Sequence, residues 1–311
     1  MNISDQKIVF MGTPEFAAGI LRSLIENNFN VVGVVTAPDR PKGRGRKLAI
    51  SEVKELATQF ELPILQPENV KTEDFFQQLA SWQPDLIVVA AYGQIIKKNI
   101  LDLPKYGCIN VHASLLPKYR GASPIHYALL NSEQETGITI MKMDEGMDTG
   151  EIINNEKIKI NNNDNLISLY SGLADLGAKL LIKTIPDYIA GKIELKKQNN
   201  NLASYTKIIT KSDGKIDWSM KGQDILNKIR AFNPWPGTFA NWQEKKLKIH
   251  SARLTERKFS PGEVMIENKK IYVGTADFAL EIIDLQLEGR KTVSAENFVL
   301  GNKKIDKAKL S

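Results

Sequence analysis

Two polar side chains, Asn110 and His112, close a short apolar run of the chain. Residues two apart in a β-strand project from the same side, so these two side chains leave a strand end together. An amide and an imidazole suit an apolar core poorly, but both can donate hydrogen bonds to a developing negative charge. The spacing therefore predicts a site that stabilises an oxyanion.

A carboxylate that could complete this pair is Asp148, which lies in the glycine-containing turn at residues 145–150. A carboxylate beside His112 would fix the orientation of the ring and could relay a proton. A Ser/His/Asp hydrolase is disfavoured because Ser114 is not part of a Gly-x-Ser-x-Gly turn. We predict Asn110, His112 and Asp148 as the catalytic residues.

The remaining residue types argue against a metal or a dinucleotide cofactor. Cys108 is the one cysteine, and we expect it to be a small buried apolar residue in a reducing compartment. With three histidines in the chain, of which we expect His126 and His250 to be packing residues, a structural zinc site has too few ligands. The segment that follows the first strand, Gly-Thr-Pro-Glu at residues 12–15, lacks the GxGxxG pattern of NAD sites.

A strongly basic segment, residues 39–47, follows another strand-like run and contains no apolar residue. Its cationic side chains belong to Arg40, Lys42, Arg44, Arg46 and Lys47. Lysine and arginine side chains that contact phosphates release counterions, so such a segment can bind a nucleic acid. The alternative is an ordinary solvated surface loop.

Composition places the chain among globular proteins, with 42% hydrophobic and 25% charged residues in 311. Residues 1–204 carry 22 basic and 23 acidic side chains, whereas residues 205–311 carry 20 and 13, so the excess positive charge is C-terminal. This asymmetry favours a polyanionic partner for the second half. We find no apolar run of about 18 residues and no leader-like N-terminus, and we expect a cytoplasmic protein without membrane contact.

Hydrophobic patterning predicts a doubly wound α/β fold in the first half, because short apolar runs alternate with amphipathic stretches. The predicted strands cover residues 7–11, 31–36, 62–65, 86–90 and 108–111. The predicted helices cover residues 16–27, 51–60, 74–82 and 94–101. In such a sheet ligands bind beyond the carboxyl ends of the strands, where the catalytic candidates and the basic segment both lie.

The remainder of the chain predicts the end of this domain, a linker and a small β-barrel. Residues 138–143 and 151–160 are typical of antiparallel strands, residues 166–189 and 222–232 of helices. Further strands are predicted at residues 247–252, 262–267, 270–275 and 278–287. We therefore predict a catalytic domain at 1–190, a polar linker at 191–206 and a barrel domain at 207–311.

Five segments together resemble the methionyl-tRNA formyltransferase family over essentially the whole chain. The Asn/His/Asp set alone marks the wider group of folate-dependent formyltransferases, and the basic segment and the Asn-Pro-Trp-Pro-Gly motif narrow it to the tRNA enzymes. The matching segments are residues 11–16, 38–47, 110–121, 143–150 and 229–237.

The resemblance implies a Rossmann-like domain followed by an OB-like barrel that helps to bind tRNA. It implies 10-formyltetrahydrofolate as co-substrate, initiator methionyl-tRNA as acceptor, a role in translation initiation, a monomer and no metal. The residues that it assigns to the folate are Ala90, Ala91, Tyr92, Gly93, Gln94, Ser114, Leu115, Leu116 and Pro117. The alternatives are a related formyltransferase or hydrolase acting on a small molecule, and a non-catalytic tRNA-binding protein.

Overall fold

A computed structural model describes residues 5–42 and 47–311, and only the backbone of Lys42 and Lys47. Numbered in chain order, the strands are β1 (Ile8–Gly12), β2 (Val31–Val35), β3 (Arg40–Lys42), β4 (Lys47–Ala49), β5 (Ile64–Leu65), β6 (Leu86–Ala90), β7 (Cys108–His112), β8 (Arg120–Gly121), β9 (Glu135–Lys142), β10 (Ile152–Lys159), β11 (Tyr205–Thr206), β12 (Thr238–Trp242), β13 (Lys245–Leu254), β14 (Val264–Glu267), β15 (Lys270–Val273), β16 (Leu280–Leu287) and β17 (Val293–Ser294).

The α-helices are α1 (Glu15–Glu26), α2 (Glu52–Gln59), α3 (Glu73–Ser81), α4 (Lys98–Leu101), α5 (Pro124–Leu130), α6 (Leu166–Ile189), α7 (Gly222–Phe232) and α8 (Ala295–Gly301). Short 3-10 helices occupy Asn200–Leu202, Lys211–Gly214 and Lys303–Ile305. None of the helices in the described ranges combines the length and apolar character that a membrane span requires.

Contacts between residues divide the chain into two compact units, each built from three chain segments. The first unit comprises Met1–Pro124, Glu135–Lys159 and Tyr170–Thr206. The second unit comprises Ile125–Gln134, Ile160–Leu169 and Lys207–Ser311.

The first unit is organised around a seven-stranded sheet in the order β10-β9-β7-β6-β1-β2-β5. Strands β5, β2, β1, β6 and β7 run parallel, and β9 and β10 add an antiparallel edge. Every residue of the central strands β1 and β6 is buried, as expected for a parallel sheet with both faces covered. The predicted doubly wound α/β fold is confirmed.

Helix caps account for where two of the helices begin. The Ser51 hydroxyl accepts a hydrogen bond from the Lys54 N–H at the start of α2, and Thr72 caps α3 in the same way. Helix α1 has no such cap, because Pro14 occupies its N-cap position and Thr13 lies before it. The Thr13 hydroxyl instead donates to the Tyr92 carbonyl, at 3.4 Å.

The helix predicted at residues 94–101 is shorter than expected, since α4 begins only at Lys98. The Gln94 side chain accepts a hydrogen bond from the Val70 N–H and donates one to the Pro67 carbonyl. These bonds hold Gln94 in an irregular segment that follows Gly93, whose φ is +86°. A tertiary anchor therefore replaces the first turn that the hydrophobic spacing predicted.

The second unit contains an antiparallel sheet in the order β12-β13-β16-β15-β14, with β17 paired to β16. Its core is apolar and includes Trp218, Trp242 and Phe298. Helix α7 packs against β13 and α8 against β15 and β16. Strand β12 and helix α8 are additions to the elements that the sequence predicted.

Two short segments that precede residue 170, Ile125–Gln134 and Ile160–Leu169, belong to this second unit. The Arg230 guanidinium on α7 donates to the carbonyls of Asp164, at 2.6 Å, and Asn161, at 2.9 Å. One turn earlier in α7, the Asn227 amide donates to the Ser132 hydroxyl at 2.5 Å. Helix α7 is thus held by residues far from it in sequence.

Candidate active site

The end of β7 carries the two polar side chains that the sequence singled out. Strand β7 lies between β6 and β9, where Asn110 is paired with Val89 and Met141 and His112 with Thr139. Alternation along the strand places Asn110 and His112 on one side and sends Val111 to the other. His112 is 6% exposed, so its ring is fixed by its surroundings.

Asp148 completes this arrangement from the turn between β9 and β10. Its Oδ1 lies 3.4 Å from the Asn110 amide nitrogen and 3.7 Å from His112 Nδ1. The structure therefore brings the three predicted catalytic residues together at one strand end. We refer to Asn110, His112 and Asp148 as the catalytic corner.

The contacts of the His112 ring show which of its two nitrogens faces Asp148. His112 Nε2 lies 3.0 Å from the Tyr119 carbonyl oxygen. A carbonyl only accepts hydrogen bonds, so Nε2 must carry a proton. Nδ1 is then the ring nitrogen that faces Asp148.

The second carboxylate oxygen of Asp148 is held by the backbone. Asp148 Oδ2 accepts a hydrogen bond from the Gly121 N–H at 2.7 Å, and Asp148 itself adopts a left-handed φ of +55°. Gly121 has a φ of +104°, and a Cβ there would lie 2.8 Å from the Thr206 carbonyl. Glycine is required at this position because a side chain would separate the backbone from Thr206.

The segment after β6, assigned by resemblance to the folate, presents its backbone at the same edge of the sheet. Ala90 and Tyr92 are buried, whereas Ala91 and Gly93 are exposed. Ala91 and Gly93 both have positive φ, and a Cβ built on Gly93 meets nothing within 4 Å. The backbone at Ala91 and Gly93 therefore borders open space beside the strand that carries Asn110, while Gln94 is anchored by its contacts with Val70 and Pro67.

The segment after β7, residues 114–117, is held by hydrogen bonds within the protein. Ser114 is fully buried, and its hydroxyl donates to the Lys118 carbonyl at 2.6 Å. The Thr139 hydroxyl accepts from the Leu116 N–H and donates to the Ser114 carbonyl. Leu116 is buried, while Leu115 and Pro117 are partly exposed. The Ser114 hydroxyl is thus engaged within the protein.

At the described ends of the basic segment, β3 and β4 pair as two short antiparallel strands. Arg40 pairs with Glu68 at 2.8 Å, in an ion pair whose side chains are 71% and 74% exposed. Immediately before β3, Asp39 pairs with Lys54 at 2.5 Å, and this hydrogen bond from Lys54 lowers the pKa of the Asp39 carboxyl. Arg44 and Arg46, and the side chains of Lys42 and Lys47, lie outside the described residues.

Comparison with known proteins decides the family. The profile of the family described as "Formyl transferase" matches residues 6–185, and that of "Formyl transferase, C-terminal domain" matches residues 208–303. A methionyl-tRNA formyltransferase from Geobacter sulfurreducens is 44% identical over 296 residues, which cover 95% of this chain and 93% of the relative. One from Halothermothrix orenii is 46% identical, covering 94% and 96%. The chain belongs to the methionyl-tRNA formyltransferase family.

A solved structure with the same fold is an N-formyltransferase from Helicobacter canadensis in complex with folinic acid and dTDP-3-aminofucose. It is 24% identical in sequence, with a TM-score of 0.65, and the match covers 89% of this chain and 98% of that one. At this identity the likeness supports the fold alone and does not identify the molecule that accepts the formyl group.

Several groups that hold the catalytic corner together were not recognised in the sequence. The Tyr119 carbonyl and the Gly121 N–H are backbone groups, which no residue pattern reveals. Gln198, whose side-chain amide donates to the carbonyls of Asp148 and Gly150, lies in the polar segment that we predicted as a linker. A glycine at position 121 was the one visible hint of a close backbone approach.

Buried titratable groups elsewhere take no part in this site. Cys108 is 1% exposed, as predicted, and burial raises the pKa of its thiol to about 12. In the second unit, burial lowers the pKa of His126 to about 4, so the ring is neutral at pH 7. The described residues contain no group of three His, Cys, Asp or Glu side chains arranged to hold a metal ion.

Proposed function

We propose that this protein transfers the formyl group of 10-formyltetrahydrofolate to the α-amino group of methionine on initiator methionyl-tRNA, for translation initiation. The observation that carries the proposal is the convergence of Asn110, His112 and Asp148 within 3.4 and 3.7 Å at one strand end. The tRNA acceptor is supported by relatives of that name at 44% and 46% identity over nearly the full chain.

The catalytic corner supplies hydrogen-bond donors where charge develops. When the amine attacks the formyl carbon, negative charge accumulates on the formyl oxygen, and the Asn110 amide and the protonated Nδ1 of His112 can stabilise it. Removing one such donor typically lowers turnover about 100- to 1000-fold. The bond from Nε2 to the Tyr119 carbonyl leaves Nδ1 as the only ring nitrogen free for this role.

Asp148 has two roles in the proposal. As the counter-ion of a protonated His112 it stabilises the cationic ring, since Oδ1 lies 3.7 Å from Nδ1. As a base it receives the proton that the attacking amine must lose, a step that general bases typically accelerate about 100-fold or more. It then returns this proton to the folate nitrogen as the bond between that nitrogen and the formyl carbon breaks, so that tetrahydrofolate leaves neutral. The second oxygen of Asp148 stays on the Gly121 N–H throughout.

The folate has a fitting surface on this chain. The exposed backbone at Ala91 and Gly93 borders open space next to β7, and Gly93 has no side chain to obstruct a flat ring. We place the pterin against Ala90 to Gln94, with residues 114–117 as the facing wall. Because Ser114 is engaged inward, this wall contributes its shape and its partly exposed Leu115 and Pro117. The bound folate supplies the formyl carbon.

The tRNA would be held by positive charge in two places. We assign Arg40, Lys42, Arg44, Arg46 and Lys47 to the first, near the amine acceptor. The second is the domain at residues 207–311, separated by the linker 191–206 from the catalytic domain at 1–190. Its excess of basic side chains and the match of residues 208–303 to the C-terminal formyltransferase domain support this division. We propose that the protein acts as a cytoplasmic monomer without a metal.

The test is a formylation assay with charged initiator tRNA and 10-formyltetrahydrofolate, comparing the unmodified protein with His112→Ala. We expect transfer by the unmodified protein and a loss of about 100- to 1000-fold in the variant. Nucleotide-linked amino sugars serve as competing acceptors. Transfer to the sugar amine but not to methionyl-tRNA would establish the small-molecule alternative. tRNA binding without transfer by the unmodified protein would establish a non-catalytic binding protein.

A further inference from the structure

The catalytic corner is adjacent to a buried arginine for which the proposed reaction has no use. Arg120 follows the Tyr119 carbonyl, precedes the Gly121 N–H and is 1% exposed. Arginine stays charged at any pH that a folded protein tolerates. Within the described part of the chain, no carboxylate forms an ion pair with Arg120. A buried cation without a counter-ion is costly, so its surroundings must compensate by hydrogen bonding.

Neutral oxygens satisfy this guanidinium. Arg120 Nε and one terminal nitrogen both donate to Gln198 Oε1, at 3.1 and 2.8 Å. The same terminal nitrogen donates to Asn200 Oδ1 at 2.8 Å, and the other donates to the Tyr205 hydroxyl at 3.1 Å. Arg120 therefore fixes the side chain of Gln198 by a two-pronged contact that also sets which end of the amide faces it.

The other end of the Gln198 amide reaches the catalytic turn. Gln198 Nε2 donates to the Asp148 carbonyl at 2.8 Å and to the Gly150 carbonyl at 2.7 Å. The first of these bonds holds the carbonyl of Asp148 itself, whose φ of +55° is unusual for an aspartate. They hold the backbone of Asp148 in the conformation that aims its carboxylate at Asn110 and His112.

The residues on either side of Arg120 contact the same two catalytic groups. The Tyr119 carbonyl accepts from His112, and the Gly121 N–H donates to Asp148. Arg120 lies between them in strand β8, which pairs with Tyr205 and Thr206 of β11. The buried side chain of Arg120 thus fixes strand β8, and the backbone groups on either side of Arg120 orient His112 and Asp148.

We propose that Arg120 and Gln198 are positioning residues that set the distance between Asp148 and His112. This inference rests on the proposed function, because it is measured through formyl transfer. Arg120 acts through the Gln198 amide on the Asp148 backbone and through its own neighbours on the two side chains. Neither residue is a catalytic group, since each acts only through the catalytic corner.

The variant that separates positioning from folding is Gln198→Glu. The new carboxylate keeps both contacts with Arg120 and gives it a counter-ion, so the fold is maintained or stabilised. It loses the N–H donor and puts an anionic oxygen against the carbonyls of Asp148 and Gly150, which releases the turn. Gln198 also borders a cavity of about 440 Å³, so water can reach the added charge.

The matched control is Asn199→Asp, which adds the same charge one residue away. Asn199 is exposed, and its side-chain oxygen accepts a hydrogen bond from the Asn201 N–H, a contact that aspartate retains. We expect Gln198→Glu to lower kcat for formylation about 10- to 100-fold, because small displacements of catalytic groups have effects of that size. KM for charged tRNA and the melting temperature should stay at or near the values of the unmodified protein, and Asn199→Asp should keep kcat.

A second measurement, hydrogen exchange in residues 143–150, reports the turn directly. We expect faster exchange there in Gln198→Glu and no change in Asn199→Asp. An unchanged kcat and exchange in Gln198→Glu would overturn the inference, as would a fall in kcat accompanied by an equal fall in the control. Should Gln198→Glu fail to fold, Arg120→Lys is measured in the same way: faster exchange with a lower kcat supports positioning, and unchanged values overturn it.

Failure of the proposed function is distinguishable from failure of this inference. If the unmodified protein transfers no formyl group to methionyl-tRNA, the proposed function is wrong. Hydrogen exchange at residues 143–150 then still decides whether Gln198 holds the turn.

Discussion

The catalytic corner and the basic segment both follow strands of the same sheet, yet they are built in opposite ways. His112 and Asp148 are each held by two or more groups, several from the backbone, and His112 is 6% exposed. Arg40 meets Glu68 in an exposed ion pair, a kind of contact that contributes at most about 1 kcal/mol. The chemistry proposed for the corner requires fixed distances, whereas the polyanion binding proposed for the basic segment requires charge that can adapt to the ligand.

The largest effect on turnover is expected from Asp148→Asn. Asparagine retains an oxygen for the Gly121 N–H but loses the negative charge that faces His112 and the capacity to accept the amine proton. We expect kcat to fall about 100- to 10,000-fold while tRNA affinity is nearly kept, measured by single-turnover formylation and filter binding. Asp144→Asn is the control, because Asp144 lies in the same turn and uses one oxygen to accept from Gly146 and Thr149. Equal losses in both variants would contradict a special role for Asp148.

A smaller effect, on tRNA affinity rather than on turnover, is expected from Arg44→Ala. Loss of one phosphate contact should weaken tRNA binding and reduce the slope of log K against log salt by about 0.7 to 0.9. Folate affinity should not change, because the substitution removes charge from the basic segment alone. Arg22→Ala on α1, an exposed arginine paired with Glu26, is the matched control. Binding that does not vary with salt would refute the electrostatic role of the segment.

The difference between the buried strand β7 of the corner and the exposed strand β4 at the end of the basic segment can also be measured by thiol reactivity. Burial raises the pKa of Cys108 to about 12 from 9.0, so the native thiol is protonated at pH 8. The native state is therefore not penalised below pH 9.0 and loses stability as pH rises from there toward 12. A thiol reagent at pH 8 should modify the unmodified protein only as it unfolds. Leu48→Cys, at a position 68% exposed in β4, should react at once. Rapid labelling of native Cys108 would show that β7 opens readily.

Local patterning was sufficient to predict the strand that carries the site. Alternation placed Asn110 and His112 on one side of β7, and the continuous apolar runs identified the parallel sheet. The nearness of Asp148, 38 residues further along from Asn110, depends on sheet topology and was supported by resemblance to a family. Gln198 was not predictable, because a glutamine in a polar stretch has no distinguishing pattern until tertiary contacts give it partners.

The chain alternates between its two units, and this alternation limits whether one unit can be transferred to another protein. The backbone passes between them after residues 124, 134, 159, 169 and 206. A single break after residue 206 would deprive Arg230 and Asn227 of the carbonyl and hydroxyl partners supplied by Asp164 and Ser132. The C-terminal part is therefore not a portable module. A transplant of the C-terminal part onto another enzyme would have to include the segments Ile125–Gln134 and Ile160–Leu169. Because these segments are inserted in the first unit, we expect the two units to be retained together in evolution.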